Sequence, residues 1–87
     1  RTLGERLREA IRPLPHVTDV SGRGLLVGVG LDAEVATAVH DAAMASGLII
    51  NACGPARLRL APPLVLTDDE ADRAVAILAD VLKDTTP

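Results

Sequence analysis

The sequence contains no phenylalanine, tyrosine or tryptophan, and that absence removes several modes of recognition before any motif is considered. Stacking platforms for bases, aromatic cages and indole anchors all need rings this chain does not have. Lysine is nearly absent too, Lys83 being the sole example among 9 basic residues. Cysteine occurs once, as Cys53, which excludes an internal disulfide and a cysteine-based metal cluster. Neither sign of charge dominates: 12 acidic against 9 basic residues give a formal charge of −3, without an extended run of either sign. That balance argues against a nucleic-acid footprint and against an anionic-membrane patch. No apolar run approaches the roughly 20 residues that span a bilayer, and no signal-peptide layout opens the chain.

What remains is 87 residues, 48% of them hydrophobic, enough for one compact domain. Its core has to be built from leucine, valine, isoleucine and alanine. A domain of this size buries a modest share of its surface, so a companion domain or subunit would help it. The chain opens on Arg1 rather than methionine and enters a helical pattern at once, which reads as a fragment or a processed piece.

Leu3, Leu7, Ala10, Ile11 and Leu14 form one apolar stripe between charged positions, the mark of a surface helix. Pro13 and Pro15 close it. A strand over 17–21 is joined by Gly22-Arg23-Gly24 to a second over 25–31, a link that suits a hairpin with glycine in the left-handed region. In the second strand Leu25, Val27, Val29 and Leu31 share one face, while Leu26, Gly28 and Gly30 share the other. Lacking a polar face, this strand is expected to be covered on both sides, with a backbone or helix close to the two glycines. Asp32 is the expected N-cap of the next helix, whose apolar positions are Val35, Val39, Ala42 and Ala43 and whose end is Ser46-Gly47. A third strand over 48–52, a turn over 53–56 and a fourth strand over 57–60, stopped by Pro62-Pro63, follow. Thr67-Asp68-Asp69-Glu70 is a capping box, and Ala71, Ala74, Val75, Leu78 and Leu82 make the stripe of the last helix. The order α-β-β-α-β-β-α predicts a two-layer α+β fold, a four-stranded, mainly antiparallel sheet with its helices on one face.

The clearest chemical candidate is the fourth strand, where Arg57 and Arg59 project from the same face about 6–7 Å apart. A guanidinium fixed on a strand can hold a carboxylate through two parallel hydrogen bonds, which lysine cannot copy. Spacing alone favours the other reading, a solvated strand face with weak surface ion pairs, although the rigid Pro62-Pro63 turn directly afterwards suits a preorganised site. Gly22-x-Gly24 with Gly28 lacks the G-x-G-x-x-G spacing and leads into a strand, which disfavours a phosphate loop. Cys53, His16 and His40 form no nucleophile–base grouping. The Asp68-Asp69-Glu70 cluster suits the helix dipole rather than a metal. Lys83 falls in the last turn of the last helix, where a cation complements the dipole; a Schiff-base lysine would sit in a desolvated pocket.

Three segments together carry a resemblance. Val20-Ser21-Gly22-Arg23-Gly24-Leu25-Leu26-Val27-Gly28-Val29-Gly30-Leu31 resembles the V-R-G-x-G-L-M-x-G-I-E-L hairpin of the class III pyridoxal-phosphate aminotransferases. The stretch from Gly47 to Pro55, followed by Leu58-Arg59-Leu60-Ala61-Pro62-Pro63-Leu64, is similar to that family's G-L-L-V-N-x-A-G-P and L-R-x-x-P-P-L blocks, and Thr67 to Glu70 matches the start of its last helix. Among its members, the wording of the second block is nearest to those acting on N-acetylornithine in arginine biosynthesis. The resemblance implies the C-terminal small domain, over 1–87, of a fold-type I enzyme. In such an enzyme the large domain holds pyridoxal 5′-phosphate and its lysine, and the whole is a cytoplasmic homodimer that transfers an amino group to 2-oxoglutarate.

It further implies that Arg59 binds the carboxylate of the amino donor and of 2-oxoglutarate, that Arg57 has no matched role, and that the isolated chain is inactive. No catalytic, cofactor-binding or metal-binding residue is expected in this piece. Ser21, Gly30 and Cys53 depart from the family's usual Arg, Glu and Ala, which leaves the choice among ω-amino donors open. The residues alone also allow a stand-alone module binding small carboxylates, or a structural domain without a ligand.

Overall fold

The computed structural model describes residues 2–48, 50–61 and 67–85. Three helices and four strands follow the expected order: α1 (Leu3–Ile11), β1 (Val17–Ser21), β2 (Val27–Leu31), α2 (Ala36–Ala45), β3 (Asn51–Gly54), β4 (Arg57–Leu60) and α3 (Asp68–Asp84). The sheet runs β1-β2-β4-β3, and all three pairings are antiparallel. The expected stop at Pro62-Pro63, and Ile49 of the third predicted strand, lie outside the described residues.

The core is one aliphatic cluster on one side of the sheet. Val27, Val29 and Leu31 of β2 and Leu58 and Leu60 of β4 meet Leu7 and Ile11 of α1, Val39 and Ala43 of α2, and Leu78 and Leu82 of α3. Helix α3 packs against both α1 and α2, and Arg6 of α1 bridges to the first two turns of α3 through Asp68 at 2.8 Å and Asp72 at 3.2 Å. Those two carboxylates raise the Arg6 pKa, chiefly through the Asp68 hydrogen bond. Among the described residues no helix is long and apolar enough to cross a membrane.

Two helix ends follow the sequence signals closely. The Thr67 hydroxyl accepts from the Glu70 amide while the Glu70 carboxylate accepts from the Thr67 amide, each at 3.1 Å. At the far end of α2, Gly47 takes a φ of 90°, and Leu48 N–H reaches the Ala43 carbonyl at 2.8 Å while Gly47 N–H reaches Met44. This is the Schellman arrangement, which satisfies carbonyls the helix leaves unpaired.

Elsewhere the structure departs from expectation. Asp32 does not cap α2: its carboxylate meets His16 Nδ1 at 3.0 Å and its amide donates to the His16 carbonyl. The helix starts at Ala36, whose amide donates to the Pro55 carbonyl of the β3–β4 turn at 3.0 Å, so a neighbouring hairpin supplies the missing acceptor. His16 itself holds a left-handed φ of 67°. Strand β2 begins at Val27 rather than Leu25, because Leu25 and Leu26 belong to a turn closed by Leu26 N–H to the Arg23 carbonyl. The third strand is shifted to 51–54, so Cys53 and Gly54 are strand rather than turn. Leu48 completes the α2 cap and Ile50 enters the core just ahead of β3, so the apolar run packs and the polar residues after it pair. Ala10 and Ala42 are exposed, while Val81 of α3 is buried.

Candidate functional site

The face of the sheet turned away from the helices carries the predicted arginines. Strand β4 alternates strictly, with Leu58 and Leu60 buried and Arg57 and Arg59 exposed, because a period of two sends neighbours to opposite faces. Register then sorts the neighbours of each arginine. One row across the sheet reads Asp19, Gly30, Arg57, Gly54; the next reads Ser21, Gly28, Arg59, Asn51. An irregularity between Val17 and Asp19 keeps Val17 and Val20 toward the core while Asp19 and Ser21 face outward.

The expected cover over β2 therefore takes a different form. Val27, Val29 and Leu31 are packed by helices, but what crowds the glycine side is side chains from β1: the Asp19 carboxylate and Thr18 hydroxyl at Gly30, and the Ser21 hydroxyl at Gly28. Neither a second helix layer nor a second backbone covers that face among the described residues.

The two arginines differ in their partners. Arg57 Nη2 lies 3.4 Å from Asp19 Oδ2, an ion pair with both side chains about half exposed, which puts its contribution at about 0.2–1 kcal/mol. Arg59 makes no hydrogen bond or ion pair with another described residue. It borders an open depression of about 180 Å³ lined by Ser21, Gly22, Leu26, Gly28, Cys53, Arg57, Leu58 and Arg59. An unpaired guanidinium beside a hydroxyl, a half-exposed leucine and bare glycine backbone suits a small organic anion. Carboxylate recognition by two parallel N–H···O bonds is the strongest contact such a group makes.

The remaining candidates are dispersed. Cys53 is exposed at the rim of the same depression. His16 pairs with Asp32 and His40 with its neighbour Asp41, each at 3.0 Å, so the histidines and the cysteine form no nucleophile–base group. Asp68 pairs with Arg6, and Glu70 closes the cap of α3. Lys83 is exposed in the last turn of α3. Gly22 and Gly24 shape the β1–β2 turn with φ of 124° and 55°, and the Gly24 carbonyl is taken by Arg8 Nη1 at 2.9 Å. Nothing in the sequence pattern marks Asp19, because only the strand register sets a glycine between it and an arginine.

Comparison with known proteins gives a consistent picture. The profile of the class-III aminotransferases matches residues 1–82. The acetylornithine aminotransferase of Corynebacterium efficiens is 49% identical over 79 residues, covering 91% of this chain and 20% of that protein. The same-named protein of Bifidobacterium longum is 45% identical over 83 residues, covering 93% and 19%. Among solved structures, the N-acetylornithine aminotransferase of Stenotrophomonas maltophilia aligns with a TM-score of 0.83 at 31% identity, covering 93% of this chain and 24% of that one. The Toxoplasma gondii ornithine aminotransferase, with partial occupancy of PLP at its active site, aligns with a TM-score of 0.79 at 27% identity, covering 93% and 21%. The chain thus spans about a fifth of the length of the curated relatives it matches.

Proposed function

The chain belongs to the class-III aminotransferase family, and we propose that it is the C-terminal small domain of a transaminase. The amino donor is N-acetylornithine or a related ω-amino compound, and the acceptor is 2-oxoglutarate. On this reading the whole protein is a cytoplasmic homodimer working in arginine biosynthesis, and this domain docks on the large domain of the same enzyme.

The observation that carries the reading is Arg59, a guanidinium without a described partner at the edge of a depression on the helix-free face. Arg59 grips the carboxylate of the donor in one half-reaction and that of 2-oxoglutarate in the other. Strand β4 fixes the arginine through its pairing with β2 and β3, so the bound molecule is held in one orientation. Holding a reactant in register replaces an encounter by a positioned step. The described residues do not fit pyridoxal phosphate itself. The single lysine, Lys83, is exposed on a helix end, whereas the cofactor requires a lysine in a dry pocket. That lysine and the cofactor's chemistry belong to the rest of the enzyme.

Kinetics of the full-length enzyme with Arg59→Ala and Arg59→Lys test the assignment. Loss of a charge-assisted hydrogen-bonded grip costs about 1.5–3 kcal/mol, so kcat/KM for both carboxylate substrates should fall roughly ten- to a hundredfold. Lysine should restore little of it, since it cannot make the paired contact. Unchanged kinetics toward 2-oxoglutarate would sink the assignment.

A further inference from the structure

The open face holds two guanidinium groups, and the acid that engages one of them is placed by a missing side chain. Gly30 is the register partner of both Asp19 on β1 and Arg57 on β4. A Cβ at Gly30 would collide with the Asp19 carboxylate. Bare backbone at this point therefore lets Asp19 lie across β2 and reach an arginine two strands away, at 3.4 Å. On the adjoining row, the point a Gly28 Cβ would occupy is 2.9 Å from Ser21 Oγ and 4.0 Å from Arg57 Nη2. The Arg57 guanidinium thus stands at the border of the two rows. Asp19 holds it from the Gly30 side, while on the Gly28 side it faces the depression shared with Arg59.

Resting on the reading of Arg59 as the carboxylate anchor, we infer that Asp19 is a specificity-determining residue. By pairing with Arg57 it leaves Arg59 as the one unpaired guanidinium of the depression, so a single carboxylate is taken in a single register. Two free guanidinium groups about 6–7 Å apart on one strand face would instead attract a ligand with two carboxylates across both, and would let one carboxylate settle on either. The Asp19–Arg57 pair removes the second option without covering the depression.

The test uses the full-length enzyme with succinate, a dicarboxylate that cannot transaminate, as a competitive inhibitor. Asp19→Asn keeps the shape of the side chain and removes its charge. An additional cation acting across several ångströms of a solvent-exposed site is worth about a three- to tenfold change, so the inhibition constant for succinate should drop by about that factor. Arg57→Ala alone removes that cation and leaves the Asp19 carboxylate unpaired, so it should not tighten succinate inhibition. Asp19→Asn combined with Arg57→Ala should return it to the wild-type value, which loss of a purely structural contact would not do. An unchanged inhibition constant in Asp19→Asn, or a lowered one that persists in the double variant, overturns the inference. Failure of the underlying reading shows separately, as wild-type KM values in Arg59→Ala.

Discussion

Gly4 sits in the first turn of α1, where alanine is intrinsically the better helix former by as much as about 1 kcal/mol, yet the structure predicts that Gly4→Ala destabilises the protein. The α1 backbone passes directly beneath the β1–β2 turn, and an added Cβ would meet the Gly24 carbonyl group, with Arg8 Nη1 close behind at 3.1 Å. A backbone carbonyl cannot rotate away, so the turn has to retreat, a kind of overpacking that costs about 1–3 kcal/mol. Its retreat also stretches the hydrogen bonds that Arg8 donates to the Gly24 and Leu26 carbonyls at 2.9 and 3.3 Å. Each is worth about 0.5–1.5 kcal/mol, nearer the low end because both are exposed. Setting the propensity gain against these losses leaves a net destabilisation of about 1–4 kcal/mol. At roughly 4–8 °C per kcal/mol for a domain of this size, the melting temperature should fall by at least about 4 °C. With no aromatic residue to report by fluorescence, urea and thermal unfolding are followed by far-ultraviolet circular dichroism. A Gly4→Ala protein more stable than the wild type, as propensity alone dictates, would refute the close approach of α1 to the turn.

Further expectations concern the α3 cap and the core. Thr67→Ala removes the hydroxyl that accepts from Glu70 N–H and should cost about 1 kcal/mol in the same unfolding assay, with Thr67→Ser close to wild type. The Glu70 carboxyl is held below its ordinary range by the Thr67 backbone N–H and then by the Thr67 hydroxyl. Since the folded value is the lower one, its contribution is complete above the unfolded pKa and disappears as pH falls through the folded pKa. The stability difference between wild type and Glu70→Gln should therefore shrink on acidification and stay constant above the carboxylate range. Leu78, fully buried where α3 meets the other helices, should lose about 2–5 kcal/mol on replacement by alanine, read as a lower urea midpoint.

Signals written in neighbouring residues were legible in the sequence. The Thr67–Glu70 box, Gly47 and the Arg57–Leu60 alternation each depend on contacts within a few positions, and each element formed where its pattern stood. Asp32 reads as a cap by the same logic, but a tertiary partner, His16, takes its carboxylate, and the Pro55 carbonyl serves α2 instead. Leu48 and Ile50 read as strand because an apolar run looks alike in a ladder and in a packed connection. What separates them is the α2 cap and the register of β3 on β4, both set by the fold. Arg59 stood out as one of a pair by spacing, and by resemblance as the anchor. Asp19 was invisible, since only the pairing of three strands places it over Gly30 beside Arg57.

A crystal structure of the full-length enzyme with an unreactive substrate carboxylate bound would show directly which guanidinium holds it. As the anchor role of Arg59 requires, the carboxylate should lie over the Gly28 row with two oxygens on the Arg59 guanidinium, while Arg57 stays paired with Asp19. A carboxylate bound elsewhere with Arg59 left unengaged, or one held by Arg57 in its place, would contradict it.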